Sequence, residues 1–276
     1  MSGQLASFMF NGSFFDSSGS ELTGTSNGAT LTTDRNGNAN QALYFDGIND
    51  TFSFSVGERH LSNFTVSFWA EPQKTTTIVG QATDGGSMSS GTHSTLMYYL
   101  MGDKSIRQVG FGIVLGTNAI NIAHLTGGRA PATLGYPADL TGWKHYILCC
   151  INNKVRLYLN GVYIKDGLQF DRTNIIGPTI TLGKNYKDSY YKGSLDNFRV
   201  FDRVLSEEET SLLYSDDFNG SDSQFLIYDP LNNDWMSMEP LNVSLKGSVA
   251  VSIFDGIYLI GGIGKDGSRS PRVFHF

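Results

Sequence analysis

The chain has 276 residues, of which 40% are hydrophobic and 17% charged, and its formal net charge is -6 at pH 7. Lys and Arg form no cluster along the sequence, which excludes a protein that binds nucleic acid through a basic surface. The 32 glycines and the many aromatic residues (3 Trp, 13 Tyr and 18 Phe) favour short strands joined by tight turns. The composition therefore indicates an all-β protein.

The N-terminal part of the chain predicts short strands separated by Asp, Asn and Gly turns, over residues 4–56. The segment Phe64–Ala70 alternates, with Phe64, Val66 and Phe68 on one face, so it is predicted to be a central strand of the core. The N-terminus shows neither the basic start nor the long apolar run of a secretory signal. No apolar run in the sequence is long enough to span a membrane.

The middle of the chain is its most irregular part. Thr83–His93 is predicted to be a loop rich in Gly and Ser, and Gly127–Pro137 a second, turn-rich loop. The segments Phe111–Val114 and Ile120–His124 are predicted strands. Asn160-Gly161 predicts a hairpin, because a type I′ turn requires positive φ at both central residues. Long loops on a rigid sandwich are where binding residues usually lie.

A strand followed by a short helix is predicted over Lys192–Tyr214. Gly193–Asp202 comes close to the alternation of a half-buried strand. Ser206, with Glu209 three residues later, forms a capping box. Glutamates in the first turn suit the positive end of the helix dipole. We therefore expect one short turn of helix that closes a domain.

Several of these stretches resemble the motifs of one family. Lys192–Tyr214 resembles the terminal motif of the laminin-G-like, concanavalin A-like jelly-roll family. Phe10–Gly19 and Gly28–Gly47 are similar to the opening motifs of that family, and Trp143–Gly161 is similar to its "GWtHvavvy...pkLYvNG" motif. The resemblance implies an all-β jelly-roll β-sandwich, with a domain over residues 1–214.

The end of the chain has a different pattern. Residues 215–223 are small and polar and are predicted to be a linker. Residues 224–276 resemble a single kelch repeat, with Tyr228-Asp229-Pro230 before Trp235, and then Ile257–Gly262. A propeller blade buries both faces of its sheet against neighbouring blades. A small C-terminal kelch-type β-blade would therefore need the sandwich, other copies of the chain or a partner to cover it.

Enzymatic activity is not expected. A glycoside hydrolase needs two carboxylates about 5–10 Å apart, but Glu58 and Glu71 have no acidic companion at strand spacing, and Asp46 and Asp50 fall in a turn-rich segment. Gly262–Gly267 matches G-x-G-x-x-G, but a β-like tail containing Pro follows it in place of the helix that a dinucleotide site requires.

The resemblance also implies a structural Ca²⁺, which members of this fold often hold near the opening loop and the closing strand. The matching residues are Asp16, Asp46, Asp196 and Asn197, and oxygen atoms are the ligands that Ca²⁺ prefers. In the alternative interpretation, these side chains cap turns by accepting hydrogen bonds from local backbone N–H groups. The five histidines have no close paired spacing, so a zinc site is not predicted.

Aromatic residues suggest where a sugar would bind. Trp69, Trp143 and Trp235 could stack on sugars, but they occupy positions that the two families use for packing, so we expect them in the cores. The other aromatic residues that could bind a sugar are tyrosines that we predict to lie in loops. The predicted ligand-binding residues are Tyr98, Tyr99 and Tyr136.

Two functions from different classes remain open. The first is a non-enzymatic recognition module for a glycan or surface receptor, and the second is a structural assembly protein. They are compatible, so the main prediction is an oligomeric phage virion or fibre subunit that displays a binding sandwich, with other copies or virion proteins held through the blade. The alternative is a cell-surface or secreted carbohydrate-binding or adhesion module from a longer kelch-containing protein, and a glycoside hydrolase is the third possibility. The expected location is a virion or the extracellular surface.

Overall fold

A computed structural model describes residues 2–57, 59–83, 91–99, 108–125, 130–171, 173–176, 178–185 and 189–218, together with five strands beyond residue 218. The chain divides into two compact units, Met1–Tyr214 and Ser215–Phe276. Over the ranges described, no helix has both the length and the apolar character that crossing a membrane requires.

The first unit is built from short strands, and one helix follows them. The elements are β1 (Gln4–Phe8), β2 (Thr25–Asn27), β3 (Thr30–Thr32), β4 (Ala42–Asp46), β5 (Thr51–Ser55), β6 (Arg59–Leu61), β7 (Phe64–Pro72), β8 (Thr95–Tyr99), β9 (Gln108–Gly116), β10 (Ala119–Leu125), β11 (Ala132–Pro137), β12 (Lys144–Ile151), β13 (Lys154–Leu159), β14 (Val162–Asp166), β15 (Thr173–Ile176), β16 (Thr179–Leu182), β17 (Lys192–Phe201) and α1 (Glu207–Phe218).

These strands form two sheets. Sheet 1 has the order β14-β13-β12-β7-β17-β4-β3, with β1 beside β17. Sheet 2 has the order β11-β10-β9-β8-β16-β5-β2, and β15 pairs with both β6 and β9. Among the strand pairs that the structure describes, only β15 with β9 is parallel. The prediction of an all-β sandwich is confirmed.

Aromatic rings join the inner faces of the two sheets in one core. Phe54 of sheet 2 meets Phe198 of sheet 1, with 6.0 Å between the ring centroids. Within sheet 1, the Phe68 ring stacks on Tyr146 at 5.2 Å and on Phe198 at 6.2 Å. Burying one such side chain contributes about 1.5–3 kcal/mol, so this cluster is a major source of the stability of the unit.

The two central strands of sheet 1 are buried on both faces. In β7 the alternation is confirmed on the inner face, but Ser67 and Trp69 on the outer face are also buried. In β17, every residue from Gly193 to Phe201 is buried, although the sequence pattern indicates a half-buried strand. The reason is tertiary: Leu205 and Leu213 pack on the outer face of this sheet and remove it from water.

Helix α1 begins as the capping box predicts. The Glu209 backbone N–H donates to Ser206 Oγ at 3.1 Å, and the Ser206 N–H donates to Glu209 Oε2 at 2.9 Å. The helix is longer than the single turn that we expected, because it continues to Phe218. The first four residues of the predicted linker are therefore helical, and the others, residues 219–223, lie outside the described residues.

Two loop predictions have different outcomes. The hairpin at Asn160-Gly161 is confirmed, with φ values of 50° and 75°. The prediction of a turn-rich loop over Gly127–Pro137 is partly wrong, because Ala132–Pro137 forms strand β11 by pairing with β10. Within the predicted Gly/Ser-rich loop, residues 84–90 lie outside the part of the chain that is described.

The second unit contains two small antiparallel sheets. One consists of β18 (Phe225–Asp229) and β19 (Asp234–Met238). The other consists of β20 (Val249–Ile253), β21 (Gly256–Ile260) and β22 (Val273–His275). The assignment of this unit to a kelch-like blade stays a prediction.

Candidate functional site

The tyrosines predicted to bind ligand lie on two strands of sheet 2. The backbone of Tyr98 and Tyr99 lies in strand β8 and not in a loop, and their side chains lie outside the described part of the chain. Tyr136 lies in β11, where its half-buried side chain packs against the main core. Their role in binding stays a prediction.

The carboxylates of Asp16 and Asp46, which we predicted to bind calcium, accept hydrogen bonds from nearby backbone. Asp16 Oδ1 accepts from the N–H groups of Ser7 and Ser18, at 2.7 and 3.1 Å. Asp46 Oδ1 accepts from the Ile48 N–H at 2.7 Å. In these contacts the carboxylates cap turns, which is the alternative to calcium binding that the sequence left open.

Asp196 pairs with Trp69 of β7 at the edge of a β-bulge in β17, and Asn197 lies within the bulge, before Arg199 pairs with Ser67. Asp196 is buried and forms an ion pair with the buried guanidinium of Arg35. Asn197 adopts a φ of 49°, a conformation that asparagine tolerates better than most residues. Within the described ranges, no three His, Cys, Asp or Glu side chains form a group that could hold a metal. A calcium ion at these four residues therefore stays a prediction, and no function below depends on it.

The outer face of sheet 1 is closed by an aromatic stack. The Trp69 ring stacks on Tyr214 with 5.8 Å between the ring centroids, and it packs at a tilt against His145 at 5.1 Å. The Arg35 guanidinium lies 4.6 Å from the centroid of Trp69, a cation–π contact. Trp69 is 3% exposed, so it packs in the protein, as we expected, and does not present its ring to a sugar.

The nucleophilic groups of this face are buried too deeply for catalysis. Ser67 Oγ lies 3.0 Å from His145 Nε2, which is the geometry of a nucleophile and a base, but both residues are 0% exposed. Burial raises the pKa of the Cys149 thiol on this face, and it raises the pKa of Cys150, which lies in the main core on the opposite face of β12, to about 12. A thiol with so high a pKa is inert. This face therefore has a structural role.

The outer face of sheet 2 is lined by small residues. Gly116 ends β9, and Gly135 lies opposite Asn121 in the register of β11 with β10. A Cβ at Gly116 would lie 2.5 Å from the Thr76 backbone N, and one at Gly135 would lie 3.0 Å from the Val79 carbonyl O. The absence of side chains at these two positions lets another segment lie directly on the sheet.

That segment is Lys74–Thr83, which we call the strap. Asn118 holds it reciprocally: the Thr76 N–H donates to Asn118 Oδ1 at 2.9 Å, and Asn118 Nδ2 donates to the Thr76 carbonyl at 3.0 Å. Asn121 Nδ2 donates to the Thr77 carbonyl at 3.2 Å, and the Ala82 N–H donates to the Ala132 carbonyl at 2.9 Å. Polar bonds therefore hold much of the strap in place.

Polar oxygens are buried on and beside this face. Asn121 Oδ1 and Thr133 Oγ1 belong to residues that are 0% exposed, and neither atom has a hydrogen-bond partner within the described structure. The hydroxyls of Ser94 and Thr95, at the start of β8, are buried and unpartnered in the same sense. A buried polar group without a partner costs about 1–3 kcal/mol. Such groups are expected where a ligand or water completes the hydrogen bonds.

Sequence reasoning missed this face entirely. Gly110, Gly112 and Gly116 alternate with apolar residues through β9, and regular glycines in a strand signal close approach by another segment of backbone. That signal was available in the sequence. The partners of Asn118 and Asn121 were not, because they depend on where the strap crosses the sheet.

Comparison with known families gives one match. The family model described as the concanavalin A-like lectin/glucanases superfamily matches residues 45–211. No curated protein matches the chain.

Solved structures similar to the chain include receptor-binding parts of toxins. The binding domain of botulinum neurotoxin serotype D is 14% identical with a TM-score of 0.55, and the match covers 93% of this chain and 62% of that one. The type DC binding domain in complex with SialylT is 13% identical with a TM-score of 0.58, covering 94% and 62%. The same domain type in complex with rat synaptotagmin II is 12% identical with a TM-score of 0.56, covering 93% and 62%. This chain spans less than two thirds of each of these structures, and the similarity shows the fold alone.

Proposed function

The chain belongs to the concanavalin A-like lectin/glucanase superfamily, and from this membership we propose that its sandwich is a non-enzymatic module that binds a glycan or a surface receptor. The similar solved structures described above are binding domains, and two of them are complexes with SialylT and with rat synaptotagmin II. A similar fold does not by itself give a function, so the proposal depends on a site in this chain.

The observation that carries the proposal is the set of buried polar oxygens on the outer face of sheet 2. Sugar binding replaces water at hydroxyl groups with fixed donors and acceptors, and unpartnered side-chain oxygens supply them. Thr133 Oγ1 and Asn121 Oδ1 are such groups. We place the ligand at this face, along the strap. Asn121 and Thr133 are 0% exposed, so the ligand reaches them only where the hydrogen-bonded strap opens, whereas the outer face of sheet 1 is closed by the stacked rings of Trp69 and Tyr214.

The test compares one isosteric change on each outer face. Thr133→Val removes an unpartnered buried hydroxyl, so we expect unchanged or higher stability and about tenfold weaker binding on a glycan array, the effect of about 1.4 kcal/mol. The control is Thr65→Val on sheet 1. Thr65 Oγ1 donates to the Arg203 carbonyl at 2.9 Å and accepts from the Leu205 N–H at 3.1 Å, so this variant loses stability and keeps its affinity.

Two results would contradict the proposal. The first is the absence of saturable binding by the full chain to any glycan on the array and to any cell surface. The second is binding that Thr133→Val leaves unchanged, which would place the site elsewhere.

The second part of the proposal concerns the assembly of several copies of the chain. We propose that copies of the chain associate through residues 224–276 in a virion or fibre, with the sandwich displayed on its surface. The support is the sequence pattern of a single blade-like repeat, which leaves apolar strand faces to cover. Light scattering of the full chain over a hundredfold dilution is expected to give one fixed oligomer, and a monomer at every concentration would overturn this part.

A further inference from the structure

Two lysines come together at the start of the strap. The backbone N–H of Gln73 donates to the carbonyl of Lys192 at 2.9 Å, next to the register pair of Pro72 with Gly193. Lys74 follows Gln73, so the two lysine side chains leave adjoining pieces of backbone, and both are half-buried. Burial and the neighbouring Lys192 ammonium lower the pKa of Lys74. Two cations close together in a partly buried place repel each other.

Neither Lys74 nor Lys192 belongs to an ion pair in the part of the structure that is described. Asp46 is the register partner of Lys192, but its carboxylate accepts from the Ile48 N–H in its own turn. Asp50 is buried, and its carboxylate accepts from the Asp46 N–H at 2.8 Å. Asp46 and Asp50 are therefore engaged with backbone, and Glu71, the register partner of Ser194, forms no ion pair with either lysine in the described residues.

The start of β8 lies between the two segments that carry these lysines. On one side, the Ser94 N–H donates to Thr76 Oγ1 of the strap at 3.2 Å. On the other, Thr95 forms a bridge with Tyr190, two residues before Lys192. The strap, β8 and the beginning of β17 thus form a closed ring of contacts, and the two lysines lie on that ring.

Two buried hydroxyls lie on the same ring of contacts. Ser94 is 0% exposed and Thr95 is 2% exposed, and within the described residues neither Ser94 Oγ nor Thr95 Oγ1 has a hydrogen-bond partner. Hydroxyl groups can donate to an anion, and ammonium groups bind carboxylates and sulfates through charge-assisted hydrogen bonds. The unused donors and the uncompensated cations require the same kind of partner.

We propose that Lys74 and Lys192, with the hydroxyls of Ser94 and Thr95, form a subsite for the anionic group of an acidic saccharide, a carboxylate or a sulfate ester. This inference rests on the proposed binding function and names its ligand class. The chain as a whole carries a net charge of -6, so an acidic ligand is attracted by this local group and not by the overall charge of the protein.

The first measurement is the affinity of the full chain for three oligosaccharides of equal length: a sulfated one, a galacturonic acid oligomer with carboxylates only, and a neutral galactose oligomer. We expect one of the acidic oligomers to bind about tenfold more tightly than the neutral one, and Lys74→Gln and Lys192→Gln each to remove about that factor. Lys154→Gln is the matched control, because it removes the same charge from Lys154 of β13, which forms an ion pair with Asp166 of β14.

The second measurement does not depend on any sugar. Amine acetylation of the full chain is followed by mass spectrometry in sodium sulfate and in sodium chloride of equal ionic strength. Sulfate is expected to slow the labelling of Lys74 and Lys192 several-fold and to leave Lys154 unchanged. Thr95→Val, which removes one hydroxyl of the subsite, is expected to reduce this protection.

The outcomes separate the two proposals. Equal binding of neutral and acidic oligomers, unaffected by either lysine variant, overturns the subsite and leaves the binding function in place. Labelling of Lys74 that sulfate does not slow overturns the subsite whatever the chain binds. If sulfate slows the labelling of the two lysines but the chain binds none of the saccharides, the anion site is supported and the proposed function is contradicted.

Discussion

The two outer faces of the sandwich are covered in different ways. On sheet 1, apolar and aromatic side chains close the face: Leu213 of α1 packs there beside Ile147, and Tyr214 stacks on Trp69. On sheet 2, the strap lies over strands that present glycine, alanine and asparagine, and Asn118 and Asn121 hold it by side-chain hydrogen bonds to its backbone.

The difference favours the outer face of sheet 2 for the binding that we propose. Apolar burial contributes about 25 cal/mol per Å², whereas a hydrogen bond contributes a net 0.5–1.5 kcal/mol, roughly, because water replaces it when it opens. The cover of sheet 1 is therefore part of the core. The strap is held by bonds that a polar ligand can imitate, so the predictions below compare how much each cover contributes to stability.

The largest effect is expected where sheet 1 buries an ion pair. Asp196→Asn removes the charged partner of the buried Arg35 guanidinium, and breaking a buried pair in this way costs about 3–5 kcal/mol. Urea unfolding measures the loss. The control Asp166→Asn breaks half-exposed pairs with Lys154 and Arg156, which is expected to cost at most about 1 kcal/mol. Equal losses for the two variants would show that the Arg35 pair is not a special feature of this face.

Helix α1 offers a matched pair of neighbouring leucines. Leu213 is 5% exposed and packs on sheet 1, whereas Leu212 is 47% exposed. Leu213→Ala is expected to lower the free energy of unfolding by about 2–4 kcal/mol through lost burial and a cavity. Leu212→Ala is expected to change it by no more than about 0.5 kcal/mol. Similar values for both would mean that the helix does not seal the face.

The strap of sheet 2 is tested by a side chain placed beneath it. Gly116→Ala puts a Cβ 2.5 Å from the Thr76 backbone N, so the strap must shift, at a cost of about 1–3 kcal/mol. Hydrogen exchange at the amides of Thr76 and Thr77 is expected to accelerate. Gly80→Ala, within the strap, meets no atom within 4 Å and serves as the control. Unchanged exchange in Gly116→Ala would show that the strap does not depend on contact with β9.

The smallest effect concerns the start of α1, and it depends on pH. Hydrogen bonds from Arg203 and from the Ser206 backbone lower the pKa of Glu209 from 4.5 to about 2. Because folding lowers this pKa, the carboxylate stabilises the fold fully above about pH 4.5, and the contribution disappears as the pH falls towards 2. Glu209→Gln is expected to cost about 1 kcal/mol at pH 6 and almost nothing near pH 2. A constant difference across this range would contradict the assignment.

Local chemistry explains which expectations were confirmed. The capping box at Ser206 and the turn at Asn160-Gly161 involve residues close in sequence, whose geometry depends on their own backbone. The period of two in Phe64–Ala70 places the inner face of β7 correctly for the same reason. Expectations for α1 and β17 were incomplete, because helix length and two-sided burial depend on what packs against them.

The sequence by itself determined the all-β class, the capping of α1 and the hairpin turn at Asn160-Gly161, because composition, periodicity and turn chemistry are local properties, and the resemblance of its motifs to a known family predicted the sandwich. Only the tertiary structure decided which side chains meet. Arg35 and Asp196 are 161 residues apart in sequence, and Lys74 approaches Lys192 only because β7 and β17 are neighbours in sheet 1. Strand order and register set such contacts, since a shift of one residue turns every side chain to the other face of its sheet.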